Sequence, residues 1–261
     1  MSKPYVIAFS NQKGGVGKTT SCVNIASFAA EAGFRVLLID EDPQGNSTSG
    51  VGISKKSISK TVYNALIEDI SPDECIVKTA FKNLSVVPST INLAGAEFDL
   101  VDVDHRERRL ADFIARCEDY DLVMIDCPPS LSLLTINALT AADGVIIPMQ
   151  CEYYALEGLT QLMMSIRRVK DLYNPALTVL GILITMYNGR LNLTSAVLRE
   201  IKKYYGDKLL KTSIPRAVKL SEAPSFGEPI NYHDRCSKAS EAYEKATDEI
   251  LQRIGIYPTT I

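Results

Sequence analysis

The sequence predicts an α/β fold, a doubly wound, mostly parallel sheet in a single domain spanning 1–261. Three observations predict it. Short β-rich apolar runs alternate with longer helical stretches, the pattern of a parallel sheet covered on both faces. Two of those runs end in acid, Arg35–Asp40 and Asp121–Asp126, as strands do when they carry polar groups to the carboxyl edge of a sheet. A length of 261 residues and a hydrophobic content of 46% suit one large domain with a full core.

Taken in order, Tyr5–Ser10 is a buried strand. Residues 10–20 then read Ser-Asn-Gln-Lys-Gly-Gly-Val-Gly-Lys-Thr-Thr, and Lys18–Ala32 has helical composition and stops at Gly33. Strand, glycine loop and helix are the context of a phosphate-binding loop, Gly-x-x-x-x-Gly-Lys-[Ser/Thr]. Gly17, Lys18 and Thr19 fill its last three places; Gln12 stands where the first glycine belongs, and Lys13 follows it. Gly14, Gly15 and Gly17 let backbone N–H groups approach phosphate closely, with Val16 between them. The helix adds its positive N-terminus. Lys18 is placed for the β- and γ-phosphates of a nucleotide and Thr19 for Mg²⁺, while Thr20 extends the row of donors. Lys13 has no task inside an ordinary loop. It is either a solvated lysine or a charge offered to a nucleotide in a second copy.

Next come the strand Arg35–Asp40, a loop over Gly45–Gly50, and a mixed region with an amphipathic stretch at Thr61–Ile67. Strands follow at Leu84–Pro88, Asp121–Asp126, Gly144–Pro148, Thr178–Ile184 and Leu209–Ile214. Helices are expected at Arg106–Cys117, Leu131–Ala141, Leu156–Tyr173, Leu193–Tyr205 and Lys238–Ile254. Asp126 has four apolar residues before it and is the natural acid to hold Mg²⁺ through a water. Asp40 and Asp42, two apart on an extended segment, face the same way. Tyr153 and Tyr154 are read as core in preference to a surface contact.

Composition removes several alternatives. The six cysteines form no Cys-x-x-Cys pair and His105 and His233 lie far apart, so no zinc or iron–sulfur framework is visible. Cys22 and Cys127 fall in elements expected to be buried and read as small core residues. No apolar run approaches the roughly 20 residues of a membrane span. The chain enters its first strand at once, which argues against a leader and against a DNA-reading domain before Tyr5. The expected compartment is the reducing cytoplasm.

The net charge is −3, yet Tyr187–Lys219 carries eight basic residues against Glu200 and Asp207. Arg199, Lys202 and Lys203 share one helical face by i, i+3, i+4 spacing, with Leu193, Val197, Ile201 and Tyr204 free to face the core. Such a face is either solvated or a phosphate-backbone patch that binds DNA without reading sequence. No Asn-Lys-x-Asp signature of guanine recognition occurs.

The variant loop with Lys13, together with Asp40-x-Asp-Pro-Gln-Gly-Asn46, resembles the deviant Walker A ATPases of the P-loop NTPase fold, most closely the ParA/Soj partition ATPases, over about residues 5–253. That resemblance implies an ATP- and Mg²⁺-dependent ATPase. It implies that Lys13 reaches across a nucleotide-sandwich homodimer, that Asp42 orients the hydrolytic water, and that Asp40 supports the metal shell. Adenine is expected near Met186, Asn188, Pro215 and Arg216. Arg190 and Arg216 match DNA-binding positions and Lys219 stands where arginine is common, so the ATP dimer is expected to hold non-specific double-stranded DNA. A ParB/Spo0J-like centromere-binding protein is the implied stimulating partner, and the location is cytoplasmic and nucleoid-associated. The missing N-terminal extension points to the short chromosomal branch. The alternative is a MinD-like membrane-cycling ATPase. Against it, the tail Glu249–Ile261 has one basic residue and a terminating proline, unlike a basic amphipathic membrane helix. A metabolic P-loop enzyme is a third reading, disfavoured by the lack of a recognisable second-substrate site.

Overall fold

A computed structural model describes residues 3–257. Its strands are β1 (Tyr5–Phe9), β2 (Val36–Asp40), β3 (Val77–Lys78), β4 (Leu84–Val87), β5 (Leu122–Asp126), β6 (Gly144–Met149), β7 (Thr178–Tyr187) and β8 (Leu209–Pro215). They form one sheet in the order β3-β4-β2-β5-β1-β6-β7-β8. Every neighbouring pair is parallel except β3 on β4 at the edge. The central strands are apolar up to the acids that end β2 and β5 because both faces are covered; each residue of β2, β5 and β6 is buried.

The helices are α1 (Lys18–Glu31), α2 (Asn46–Gly50), α3 (Val62–Ile67), α4 (Pro72–Cys75), α5 (Ala96–Asp99), α6 (Arg109–Ile114), α7 (Leu133–Ala141), α8 (Ala155–Leu172), α9 (Asn192–Tyr205), α10 (Lys219–Phe226), α11 (Ile230–His233) and α12 (Lys238–Arg253). The period of two along β1 divides them. Val6 and Ala8 meet the layer holding α3, α6, α7, α8 and α9, while Ile7 and Phe9 meet α1 and α12. This is the doubly wound α/β architecture expected from the alternation.

Some elements differ from expectation. Gly45–Gly50 is not an open loop. Gly45 takes the left-handed conformation (φ 61°) and starts the short helix α2. The helix expected over 106–117 is α6 alone, and β7 runs on to Tyr187. On α9, Val197 and Ile201 enter the core, but Leu193 and Tyr204 are 45% and 64% exposed. The helix covers the sheet near its β8 end, so only a narrow stripe meets apolar neighbours. Cys22 and Cys127 are fully buried, as read. No helix among the described residues is long and apolar enough to cross a membrane. The proline of the tail, at 258, and the residues after it lie outside the described residues.

Register sets up the site. Asp126 at the end of β5 lies abreast of Asp40 on β2 and Phe9 on β1. The glycine loop leaves β1 one residue later, so loop and acids meet at the carboxyl edge of the three central strands.

Candidate active site

The loop is held by the sheet beside it. Thr185 Oγ1 on β7 donates to the Val16 carbonyl at 2.7 Å and Gln150 Nε2 to the Gly15 carbonyl at 2.8 Å. Asn11 ties the loop's start to Pro148, donating from Nδ2 at 2.8 Å, and its Oδ1 accepts from the Lys13 N–H. Gly15 and Gly17 have φ of 74° and 83°, which an L side chain rarely adopts. A Cβ added at Gly14 or Gly15 would meet nothing within 4 Å. The cradle is thus open on the side where a phosphate would approach, and α1 supplies its N-terminus below. Lys18 is 7% exposed, and its Nζ reaches back to the Lys13 carbonyl at 3.3 Å. Burial lowers its pKa, against the pull of nearby Asp126. Thr19 and Thr20 open α1 beside it.

The acids have distinct surroundings. Asp126 is fully buried; Oδ2 accepts from Ser47 Oγ at 2.7 Å, while Oδ1 has no partner among the described residues. Asp40 is also fully buried but saturated. Its Oδ2 accepts from the Thr48 N–H and hydroxyl, both at 2.7 Å, and its Oδ1 from the Asp42 N–H at 3.3 Å. Burial raises the pKa of both carboxyls, which also repel each other. Asp42 is 8% exposed; its Oδ1 accepts from the Gln44 N–H at 2.8 Å, and its carbonyl from the Gly45 N–H. Asp40 therefore organises the turn that carries Asp42, whereas Asp126 keeps an oxygen for a ligand.

Lys13 pairs with Glu152 just before α8, both side chains about half exposed. Tyr153 and Tyr154 beside it are 77% and 71% exposed and packed edge to face. This corrects the core reading, since the segment lies on the open rim of the sheet and not beneath a helix. A cavity of about 140 Å³ next to Gly17 is lined by Met186, Pro215 and Arg216, with Leu220 and Tyr243 closing it. Asn188 is not among its lining residues; its Oδ1 accepts from the Arg190 N–H.

The structure divides the expected basic surface. Arg190 and Arg216 follow β7 and β8 at the carboxyl edge, and Arg216 lines the cavity beside Gly17. Arg199, Lys202 and Lys203 lie further along α9, about 10–17 Å from its start by helical rise. All five are exposed and none forms an ion pair among the described residues, whereas Lys219 pairs with Glu222 at 2.9 Å.

Sequence reasoning assigned no role to Ser47, Thr48, Gln150, Glu152, Thr185 or Tyr243. The only local signal for the first two was their place directly after the Asp-Pro-Gln-Gly-Asn run. Gln150, Glu152 and Thr185 come beside the loop through sheet order, and Tyr243 through the packing of α12 on α1.

A family model described as an AAA domain matches residues 4–179. Sporulation initiation inhibitor protein Soj of Bacillus subtilis is 52% identical over 246 residues, covering 94% of this chain and 97% of the relative. Chromosome partitioning protein ParA of Myxococcus xanthus is 49% identical over 95% of this chain and 88% of that protein. Among solved structures, cobyrinic acid a,c-diamide synthase from Mycobacterium smegmatis, with bound ATP analog and magnesium, superposes with a TM-score of 0.85. It is 36% identical, covering 98% of this chain and 100% of that one.

Proposed function

The chain belongs to the ParA/Soj family of partition ATPases, and from that premise we propose that it segregates a chromosome or plasmid by cycling between free monomers and an ATP-bound, DNA-holding homodimer. The observation that carries this reading is Lys13. Its ammonium turns away to the exposed Glu152, its one ion-pair partner among the described residues. Exposed ion pairs contribute little, so a neighbouring copy's phosphate can take the lysine at small cost.

The remaining residues divide the work. The loop N–H groups, Lys18 and the start of α1 bind the phosphates of ATP. The cavity at Met186, Pro215 and Arg216 takes the base. Thr19 and Asp126 fit Mg²⁺, since the unpartnered, buried Oδ1 of Asp126 is an acceptor that a hydrated cation would satisfy. Bound there, Mg²⁺ would offset charge on the β- and γ-phosphate oxygens. Asp42 holds the attacking water in line, on a turn that Asp40 and Thr48 keep in place. A carboxylate for the water and a buried lysine for the phosphates suit hydrolysis.

Dimerisation doubles the basic surface, and with it the counterions released from DNA, so DNA binding becomes conditional on ATP. A ParB-like centromere-binding protein then stimulates hydrolysis and frees the dimer, on the nucleoid in the cytoplasm. The test is binding to random-sequence DNA with ATP, ADP or no nucleotide across a salt series. Salt-sensitive binding seen only with ATP is expected. Binding to anionic vesicles in place of DNA would move the reading to the membrane-cycling relatives.

A further inference from the structure

We infer that Ile91, Phe98 and Val101 form a docking surface for a positively charged amphipathic segment of a protein partner, and that this surface is linked to Asp42 through Ser89, Thr48 and Asp40. The inference rests on the proposed ATPase cycle and names where its stimulating partner sits.

The segment follows β4 at the carboxyl edge of the sheet. Its inward residues Leu93, Ala96 and Leu100 are fully buried. Its outward residues Ile91, Phe98 and Val101 are 67%, 82% and 52% exposed. Phe98 and Val101 are neighbours on one turn, joined by a hydrogen bond from the Val101 N–H to the Phe98 carbonyl at 3.2 Å. The backbone is anchored on one side while large apolar groups stand in water on the other, the arrangement of a ready-made contact face.

Charge selects the occupant. Between Asn83 and Asp104 there is no lysine or arginine, and there are four acids: Glu97, Asp99, Asp102 and Asp104. Asp99 accepts from the Tyr63 hydroxyl at 2.7 Å, and the other three form no ion pair among the described residues. Arg106, bonded to the Val101 carbonyl, marks one end of the face. An apolar strip with an acidic rim attracts a segment that is apolar on one side and cationic on the other.

The face is wired to the catalytic turn. The Ser89 N–H, two residues before Ile91, donates to Thr48 Oγ1 at 2.9 Å. Thr48 Oγ1 donates in turn to Asp40 Oδ2 at 2.7 Å, and Asp40 Oδ1 accepts from the Asp42 N–H. A load on the face therefore reaches the water-orienting residue through three hydrogen bonds.

The experiment uses the full chain with ATP and DNA, and the ParB-type protein of the same organism as probe. Phe98→Asp and, separately, Glu97→Lys with Asp102→Lys should each lower the stimulated turnover about tenfold, as loss of an anchor does. Basal turnover, ATP-dependent dimerisation and DNA binding should stay within about twofold of the parent. Stimulation undiminished in both variants overturns the docking surface and leaves the ATPase cycle standing. Loss of the ATP dimer in Phe98→Asp without the probe would mean a second copy covers the face, and also overturns it. A parent chain that the probe does not stimulate would remove the partner reading itself, and this surface with it.

Discussion

Lys13 and Glu41 show how differently two ionisable residues of the site's two motifs can behave. Lys13 is half exposed and its pair with Glu152 is solvated, so it is worth well under about 1 kcal/mol to the monomer. Lys13→Ala should leave thermal stability and ATP affinity nearly unchanged and abolish the ATP-dependent dimer on a sizing column; a dimer that persists would refute its reach across copies. Glu41 is fully buried, and neither carboxylate oxygen has a partner among the described residues. Burial alone lifts its pKa well above the ordinary glutamate value. The folded chain thus holds that proton more tightly than the unfolded one, so the side chain costs least at low pH, and stability falls as pH rises toward the folded pKa. Glu41→Leu should therefore stabilise the fold by about 1–3 kcal/mol near pH 8 and by less near pH 5. Urea unfolding at the two pH values checks this, and a loss of stability near pH 8 would contradict it.

At the scale of elements, the turn from Asp42 into α2 shows why a glycine stands where it does. Gly45 has φ 61°, and a Cβ there would come within 2.7 Å of the Ser89 carbonyl oxygen and of Lys55 Cε. Lys55 also closes the turn by donating from Nζ to the Gln44 carbonyl at 2.5 Å. Gly45→Ala adds a left-handed backbone penalty of about 1–2 kcal/mol to that clash, which displaces Asp42. Turnover should fall about tenfold or more while ATP affinity changes far less, since an energy of that size is a decade in rate. Equal losses in binding and turnover would show instead that the cradle itself had been damaged. The glycine loop and β1 were legible in the sequence because a motif and a run of apolar residues are local patterns. Helix α2 was not legible, because five small polar residues become helical only once Asp40 fixes Thr48.

For the whole molecule, the informative quantity is how many phosphates the dimer contacts. Arg190 and Arg216 from two copies make four cations at the carboxyl edge, so replacing both with alanine should reduce the slope of log affinity against log salt by about 3–4. Dimerisation should be untouched; an unchanged slope would place the DNA elsewhere. The linear order of residues by itself determined the α/β class, the phosphate loop and the two acid-ended strands, since each depends on neighbours within a few positions. It assigned Asp126 and, by resemblance, Asp40 to the metal and Asp42 to the water, without distinguishing the surroundings of the two strand-end acids. Asp40 and Asp126 look equivalent as strand-end carboxylates, and only the folded chain saturates one with Thr48 and Asp42 while leaving an oxygen free on the other. Likewise Tyr153 and Tyr154 have core composition but sit on the rim, and Glu152 meets Lys13 across 139 residues. Sheet order brings such groups together, and it is set by long-range packing of apolar strands that carries no trace in the spacing of the polar residues they deliver.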